Sequence, residues 1–306
     1  MTMTSQPVRG VEMPRALQVL RRRTPRPAQL AVRSLVRRYG EQTAARRPLP
    51  DYLIIGSKKG GTSSLTNWLI QHPDNLRMFP SFQPLKSAHF FDISFHEGVD
   101  WYRGHFPTER FRAGHPGAVV GEASPYYMFH PAAAGRAHSV VPDAKIIAVL
   151  RNPVSRAYSN YWDRVAAGTE TLPTFEAAID AEEGRLAGVD HDRLRGDPAY
   201  YSLEHDQFTY LARGRYVEHL PTWLDVYPEE QTLVLRAEDM YDDPAGVFAR
   251  VQEFLGLRVC PDIDLKTYNE RSKPPIDPRT RDRLREYYRP WNQALYERLG
   301  RDLHWS

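Results

Sequence analysis

Three glycines, two lysines and a run of hydroxyls stand together at Gly56-Ser57-Lys58-Lys59-Gly60-Gly61-Thr62-Ser63-Ser64. Glycine lets main chain approach an anion, the N–H groups that open a helix carry partial positive charge, and lysine adds a compact full charge. Such a cluster binds phosphate. A nucleoside triphosphatase loop places its lysine after the last glycine, whereas Lys59 precedes Gly60-Gly61-Thr62. A second cluster, Arg151 with Ser159 eight residues on, offers a guanidinium fork and a hydroxyl to another anion. The run before it ends in Arg151, where magnesium-dependent ATP chemistry would want an acidic residue, so no metal is expected. Two separate anion sites suit a nucleotide with phosphates at both ends of its ribose, the shape of 3′-phosphoadenosine 5′-phosphosulfate (PAPS).

The elements that would hold these clusters are legible from local pattern. Tyr52 to Ile55 is a short apolar run ending in Gly56, as in a buried strand, and Leu65, Trp68 and Leu69 give Thr62 to Gln71 a helical face that His72-Pro73 stops. Lys145 to Leu150 is a second buried strand, after which Pro153 takes a favoured first helical position. Thr232 to Arg236 begins a third unit, whose helix carries Val247, Phe248, Val251, Phe254 and Leu255 between a capping Asp243 and Gly256. Val119-Val120 is a further strand. Alternation of strand and helix predicts an α/β fold: one domain with a mainly parallel central sheet flanked by helices. Residues 184 to 201, polar and glycine-bearing, form a surface excursion. From Asp277 a helix presents Leu284, Tyr287 and Tyr288 on one face, and Pro290 breaks it before Leu295 and Leu299.

Composition bounds the rest. The chain has 306 residues, 41% hydrophobic and 26% charged, which is enough for a sizeable core and excludes wholesale disorder. One cysteine, Cys260, allows no internal disulfide and fits a reducing compartment. No run approaches the roughly 20 apolar residues of a membrane helix, and the N-terminus lacks a signal-peptide core, so a cytoplasmic location is expected. Residues 1 to 50 hold eleven Arg and two Glu, so the net charge of +3 belongs to a basic N-terminal extension, with one amphipathic helix near residues 28 to 39. Arg21, Arg22, Arg23, Arg37 and Arg38 leave weak peripheral contact with acidic lipid open; nucleic acid is not an expected partner. The richness in Arg, Ala and Pro suggests a GC-rich bacterium.

Together, Lys59-Gly60-Gly61-Thr62, His89-Phe90-Phe91-Asp92, Trp101-Tyr102, Glu122-Ala123-Ser124-Pro125-Tyr126-Tyr127 and Arg151 through Ser159 resemble the sulfotransferases that use PAPS. The resemblance runs from about Tyr52 to Trp305 and is nearest to bacterial sulfotransferases and the heparan sulfate glucosaminyl 3-O-sulfotransferases. It implies a P-loop-like nucleotide-binding fold over residues 51 to 306. Lys59 would contact the 5′-phosphosulfate, Gly60, Gly61, Thr62, Ser63 and Ser64 would cradle it, and Arg151 with Ser159 would hold the 3′-phosphate. Arg271, in Asn269-Glu270-Arg271-Ser272-Lys273-Pro274, aligns with a donor-binding arginine, though Asn269 and Glu270 replace the usual lysine and glycine. The product nucleotide would be adenosine 3′,5′-bisphosphate (PAP). Gly214-Arg215-Tyr216 resembles a segment that closes over the donor.

Sulfuryl transfer requires a base for the acceptor's proton and positive charge where the leaving phosphate gains negative charge. Lys59 suits the second role. The glycan-modifying relatives carry a glutamate two residues before the histidine, where this chain has Ser87, so His89 is the expected base and Glu122 the reserve. Ala123 replaces a lysine that contacts acidic glycan in those relatives. Of Phe90, Phe91, Trp101, Tyr102, Tyr126, Tyr127 and Phe129, most are expected in the core and two or three to meet the acceptor, a hydroxyl (less favourably an amine) of a carbohydrate, lipid or small natural product. A nucleotide-dependent kinase and a noncatalytic anion- or nucleic-acid-binding protein are the alternatives.

Overall fold

The computed structural model describes residues 25–81, 85–268 and 272–305. Its strands are β1 (Tyr52–Gly56), β2 (Asn75–Leu76), β3 (Val119–Ala123), β4 (Lys145–Leu150) and β5 (Thr232–Arg236). They form one sheet in the order β2-β3-β1-β4-β5, with every pairing parallel. The longer helices are α1 (Arg26–Gln42), α2 (Thr62–Gln71), α3 (Pro153–Ala166), α4 (Pro244–Leu255) and α5 (Pro278–Leu299).

The apolar runs of β1 and β4 are buried on both faces, as central parallel strands must be. Leu53, Ile55, Ile146, Ala148 and Leu150 enter one core with Val120, while Tyr52, Ile54, Ile147 and Val149 enter the other with Leu235. The order places β1 between β3 and β4 and creates a crevice. From β1 the chain leaves toward the edge strand β2; from β4 it leaves in the opposite direction toward β5. The two turns therefore diverge at the carboxyl ends of adjacent strands, where open α/β sheets bind ligands.

Local signals start these helices where expected. Asn152 caps α3 by accepting from the N–H groups of Val154 and Ser155, with Pro153 next; such a cap contributes about 1 kcal/mol. Asp243 accepts from Gly246 N–H at the start of α4, and Gly256 ends it in the left-handed conformation.

Three expectations require correction. Pro290 does not break α5, which continues through it to Leu299. The proline is exposed, so the Glu286 carbonyl that loses its partner lies on the solvent face, and Leu284 and Tyr288 before it and Leu295 after it are all buried. Tyr287 is 37% exposed and does not share that buried face. Nor is the N-terminal extension separate from the body up to residue 50. Gly40 lies against Gly104, where a Cβ would come within 2.7 Å of the Gly104 carbonyl oxygen, and Ala44 and Arg47 are buried. The Arg47 guanidinium lies 4.2 Å over the Phe79 ring, donates to the Phe106 carbonyl and takes Thr43 Oγ1 at 2.7 Å. Arginine looks solvent-seeking in a composition count, but a planar guanidinium with a ring and a carbonyl to meet is readily buried. Arg21, Arg22 and Arg23 lie outside the described residues.

The surface excursion contains two short helices, Glu182–Leu186 and His191–Gly196, anchored by buried Val189 and Leu194.

Candidate active site

The turn after β1 is pinned to the end of β4. Ser57 donates to the Val149 carbonyl through both its N–H (2.7 Å) and its Oγ (3.0 Å), and Gly60 N–H donates to Ser57 O at 2.9 Å. A Cβ on Gly60 would sit 2.5 Å from Val149 O, and Gly61 has φ +106°, so both positions exclude ordinary side chains. The result is a bare main-chain cradle leading into the N-terminus of α2.

The two lysines of this turn part company. Lys58 points away from the helix opening and donates to Asp206 O (2.9 Å), Asp206 Oδ1 (3.2 Å) and Gln207 Oε1 (3.1 Å). Burial pulls its ammonium down to about 7 even with Asp206 opposing. Lys59 Nζ lies 3.1 Å from Asp163 Oδ1 on α3.

Lys86, which no local sequence pattern marks, reaches the same helix opening from another segment. Its ammonium donates to Thr62 Oγ1 at 3.1 Å and Ser63 Oγ at 3.2 Å. Burial, then the charge of Lys59, lowers it to about 8. One cation and two hydroxyls thus meet at the first turn of α2, with the Lys59 charge near enough to be felt there. Ser64 Oγ instead accepts from Tyr268 N–H at 2.9 Å, tying the cradle to the late loop; Arg271 lies outside the described residues.

Arg151 closes the other wall. It donates from Nη1 to Lys59 O at 3.3 Å, and Tyr216 Oη donates to its carbonyl at 2.8 Å while lying 3.4 Å from Ser57 Oγ. The Gly214-Arg215-Tyr216 segment therefore clasps both turns. Ser159 is half-buried on α3, two turns beyond the Asn152 cap.

His89 has one ring nitrogen engaged. Nδ1 is 3.0 Å from Asp92 Oδ2 and 3.1 Å from Ser124 Oγ, and Ser124 also donates to Asp92 Oδ2 at 2.7 Å. Burial opposes a charged ring, but Asp92, with Asp206 and Glu122 farther off, outweighs it and raises the pKa. A carboxylate on Nδ1 selects the tautomer that leaves Nε2 able to accept a proton. Asp92, visible earlier only as part of a motif, is its orienting partner.

Glu122 is fully enclosed. It accepts from Ser87 Oγ (3.0 Å), Ala88 N–H (2.6 Å), Tyr102 Oη (2.7 Å) and Tyr127 Oη (2.7 Å). Burial, partly offset by these donors, raises its pKa. Of the seven aromatics, Phe90, Phe91, Tyr102, Tyr126, Tyr127 and Phe129 are buried, as expected of most of them, and Trp101 is partly exposed. Phe90 and Tyr102 stack at 4.4 Å, so packing claims these rings.

A parallel sheet with a glycine-lysine cradle after one central strand, an arginine after its neighbour and a carboxylate-bound histidine alongside defines a nucleoside-phosphate-binding transferase. Residues 49–273 match the sulfotransferase domain family. The chain is 33% identical over 285 residues to heparan sulfate glucosamine 3-O-sulfotransferase 6 of Mus musculus and of Homo sapiens, covering 85% of this chain and 75% of each relative. The crystal structure of a sulfotransferase from Alicyclobacillus acidocaldarius superposes with a TM-score of 0.60 at 32% identity, over 83% of this chain and 97% of that one. The chain belongs to the sulfotransferase family and is a PAPS-dependent sulfotransferase. Nothing supports the kinase or the noncatalytic binding protein.

Proposed function

We propose that the crevice between the β1 and β4 turns binds PAPS, and that His89 takes the proton of an acceptor hydroxyl, or less favourably an amine, as the sulfuryl group moves to it. The observation that carries this reading is Lys86 bonded to Thr62 and Ser63 at the opening of α2 and sensing the charge of Lys59, with His89 three residues beyond Lys86. PAPS, when bound, supplies the activated sulfuryl group. Gly60 through Ser64 cradle its 5′ end, and Lys59 with Lys86 meets the charge that gathers on the departing phosphate, where fixed cations act most strongly. Arg151 and Ser159 hold the 3′-phosphate, and Arg271 adds a contact on the strength of the resemblance alone. Ser87, where relatives have glutamate, is buried and bonded to Glu122, so it leaves the proton to His89.

A carbohydrate is the favoured acceptor, since the named relatives act on a heparan sulfate glucosamine; a lipid or small natural product is next. Ala123, which is buried, removes the lysine with which relatives meet acidic glycan and favours a less acidic acceptor. A bacterial cytoplasm is the proposed setting, from the composition and the single Cys260. Among the described residues no helix is long and apolar enough to cross a membrane.

Calorimetry in EDTA with PAP, ATP and 5′-AMP tests the donor site. Tight binding that depends on the 3′-phosphate is expected; equal affinity for the three nucleotides would sink it. Separately, His89→Ala should retain PAP and lose transfer, whereas normal turnover in that variant would remove His89 from the mechanism.

A further inference from the structure

We infer that Glu122 is the positioning residue for His89: one buried carboxylate gathers, directly or through a single hydroxyl, the four successive main-chain N–H groups of Ala88, His89, Phe90 and Phe91. The inference rests on the reading of His89 as the base. Ala88 N–H donates straight to Glu122 Oε2 at 2.6 Å. His89 N–H donates to Ser87 Oγ at 2.9 Å, and that hydroxyl passes its own proton to Oε2 at 3.0 Å. Phe90 and Phe91 N–H approach Tyr127 Oη at 2.9 and 3.4 Å, and Tyr127 donates to Oε1 at 2.7 Å. Tyr102 supplies the last bond to Oε1. Successive main-chain N–H groups turned toward one anion are how backbone nests bind phosphates and carboxylates. In this nest the anion belongs to the protein.

The arrangement answers a need of His89 itself. Its φ is +52°, a left-handed conformation that a side chain with a Cβ adopts only where its surroundings enforce it. This turn is what sends Phe90 and Phe91 into the core while the ring is left beside Asp92 and Ser124. With all four of its donors coming from the protein, Glu122 is a poor recipient for an acceptor's proton. Its charge still reaches the imidazole and, with Asp92 and Asp206, favours the protonated ring. Ser87 is part of the same device: short enough to bridge His89 N–H and Glu122, it joins the loop to a carboxylate on β3, where relatives place a carboxylate on the loop.

The test is Glu122→Gln in the full chain, read three ways. Calorimetry with PAP should show affinity within about twofold of the parent, because no residue of the donor cradle changes. NMR of isotope-labelled histidine should show the His89 titration midpoint moved down, through loss of a nearby negative charge. Hydrolysis of PAPS, with water standing in for the acceptor, should fall on the order of 100-fold, as a misaimed base implies. A folded variant with an unshifted His89 midpoint overturns the inference, whether turnover is retained or lost together with thermal stability. Should Glu122→Gln not fold, Tyr127→Phe, which severs the Phe90 and Phe91 links and removes one donor to Glu122, is judged by turnover against PAP affinity: loss of the first alone is expected, and no loss overturns. If the parent protein fails to bind PAP, the donor reading falls, while the midpoint comparison still decides this one.

Discussion

Lys59 Nζ and Asp163 Oδ1 lie 3.1 Å apart, so the lysine proposed to meet an anionic donor already has an anion beside it. Asp163 sits one helical turn beyond Ser159 on α3, and Arg164 also donates to it. Although burial opposes ionisation, Lys59 and Arg164 hold Asp163 down to about 2, so it is charged at any working pH. It competes for the ammonium and repels an incoming phosphosulfate. Asp163→Asn should therefore bind PAP about three- to tenfold more tightly, as read by calorimetry at low salt, where charge effects are least screened. Weaker binding would mean instead that Asp163 aims Lys59 in advance.

Lys86 should make donor binding sensitive to alkali. Its pKa, lowered to about 8 by burial and Lys59, places its loss of charge within reach of ordinary buffers. As pH rises from 7 to 9 the unliganded site loses a cation, and PAP affinity should fall by roughly tenfold, the scale of one weakened charge-assisted hydrogen bond. Lys86→Met should bind more weakly at pH 7 and flatten the trend. A trend unchanged in the variant would place the titrating group elsewhere.

Arg151 and Lys59 should matter more than any hydroxyl around them. Each brings a full charge to a crevice that α2 and α3 enter by their N-termini, and removing either leaves phosphate oxygens unmatched. Lys59→Ala and Arg151→Ala should each weaken PAP binding by about 10- to 100-fold, against less than tenfold for Ser159→Ala. Calorimetry on the three variants ranks them, and a Ser159 effect equal to that of Arg151 would contradict the ranking.

What was legible in the chain follows how far apart the partners lie in sequence. The cradle reads directly from Gly56 to Ser64 because one turn supplies it all, and the cap at Asp243 reads because its bond spans three residues. The Lys86–Thr62 contact spans 24 residues and Lys59–Asp163 spans 104, so no local pattern announces either. Edge strand β2, only Asn75 and Leu76, is too short to carry a periodicity. The aromatics were legible as a group: rings near strand ends usually pack, and all but Trp101 are buried.

The docked N-terminal segment predicts a cost for truncation. Removal of residues 1–46 takes away buried Ala44, the Arg37–Glu97 ion pair and the Thr43 contact of Arg47, leaving that arginine less supported beneath Phe106. Stability should fall by roughly 2 kcal/mol, the scale of one or two lost buried contacts. PAP binding should persist, since no donor residue lies in the segment. Denaturant unfolding beside calorimetry separates the two, and an undiminished midpoint would show that the docking contributes nothing.

Beneath the excursion, three histidines packed among aromatic rings should make the fold sensitive to acid. His205 stacks on Phe129 at 4.4 Å and pairs with Tyr126 Oη at 2.8 Å, His219 meets the edge of Phe129, and His130 meets Tyr126. Burial lowers His130 and His219 to about 4 and His205 to about 2, against 6.5 when unfolded. Between those values the unfolded chain binds more protons than the folded one. The stability they contribute is therefore whole above pH 6.5 and lost as pH falls toward 4. From pH 7 to 5.5 each histidine should account for about 1 kcal/mol of loss. Thermal unfolding at the two pH values, compared between the parent and a His130→Gln/His219→Gln double variant, measures their share: the variant should lose less on acidification, and an equal loss would assign the sensitivity to other groups.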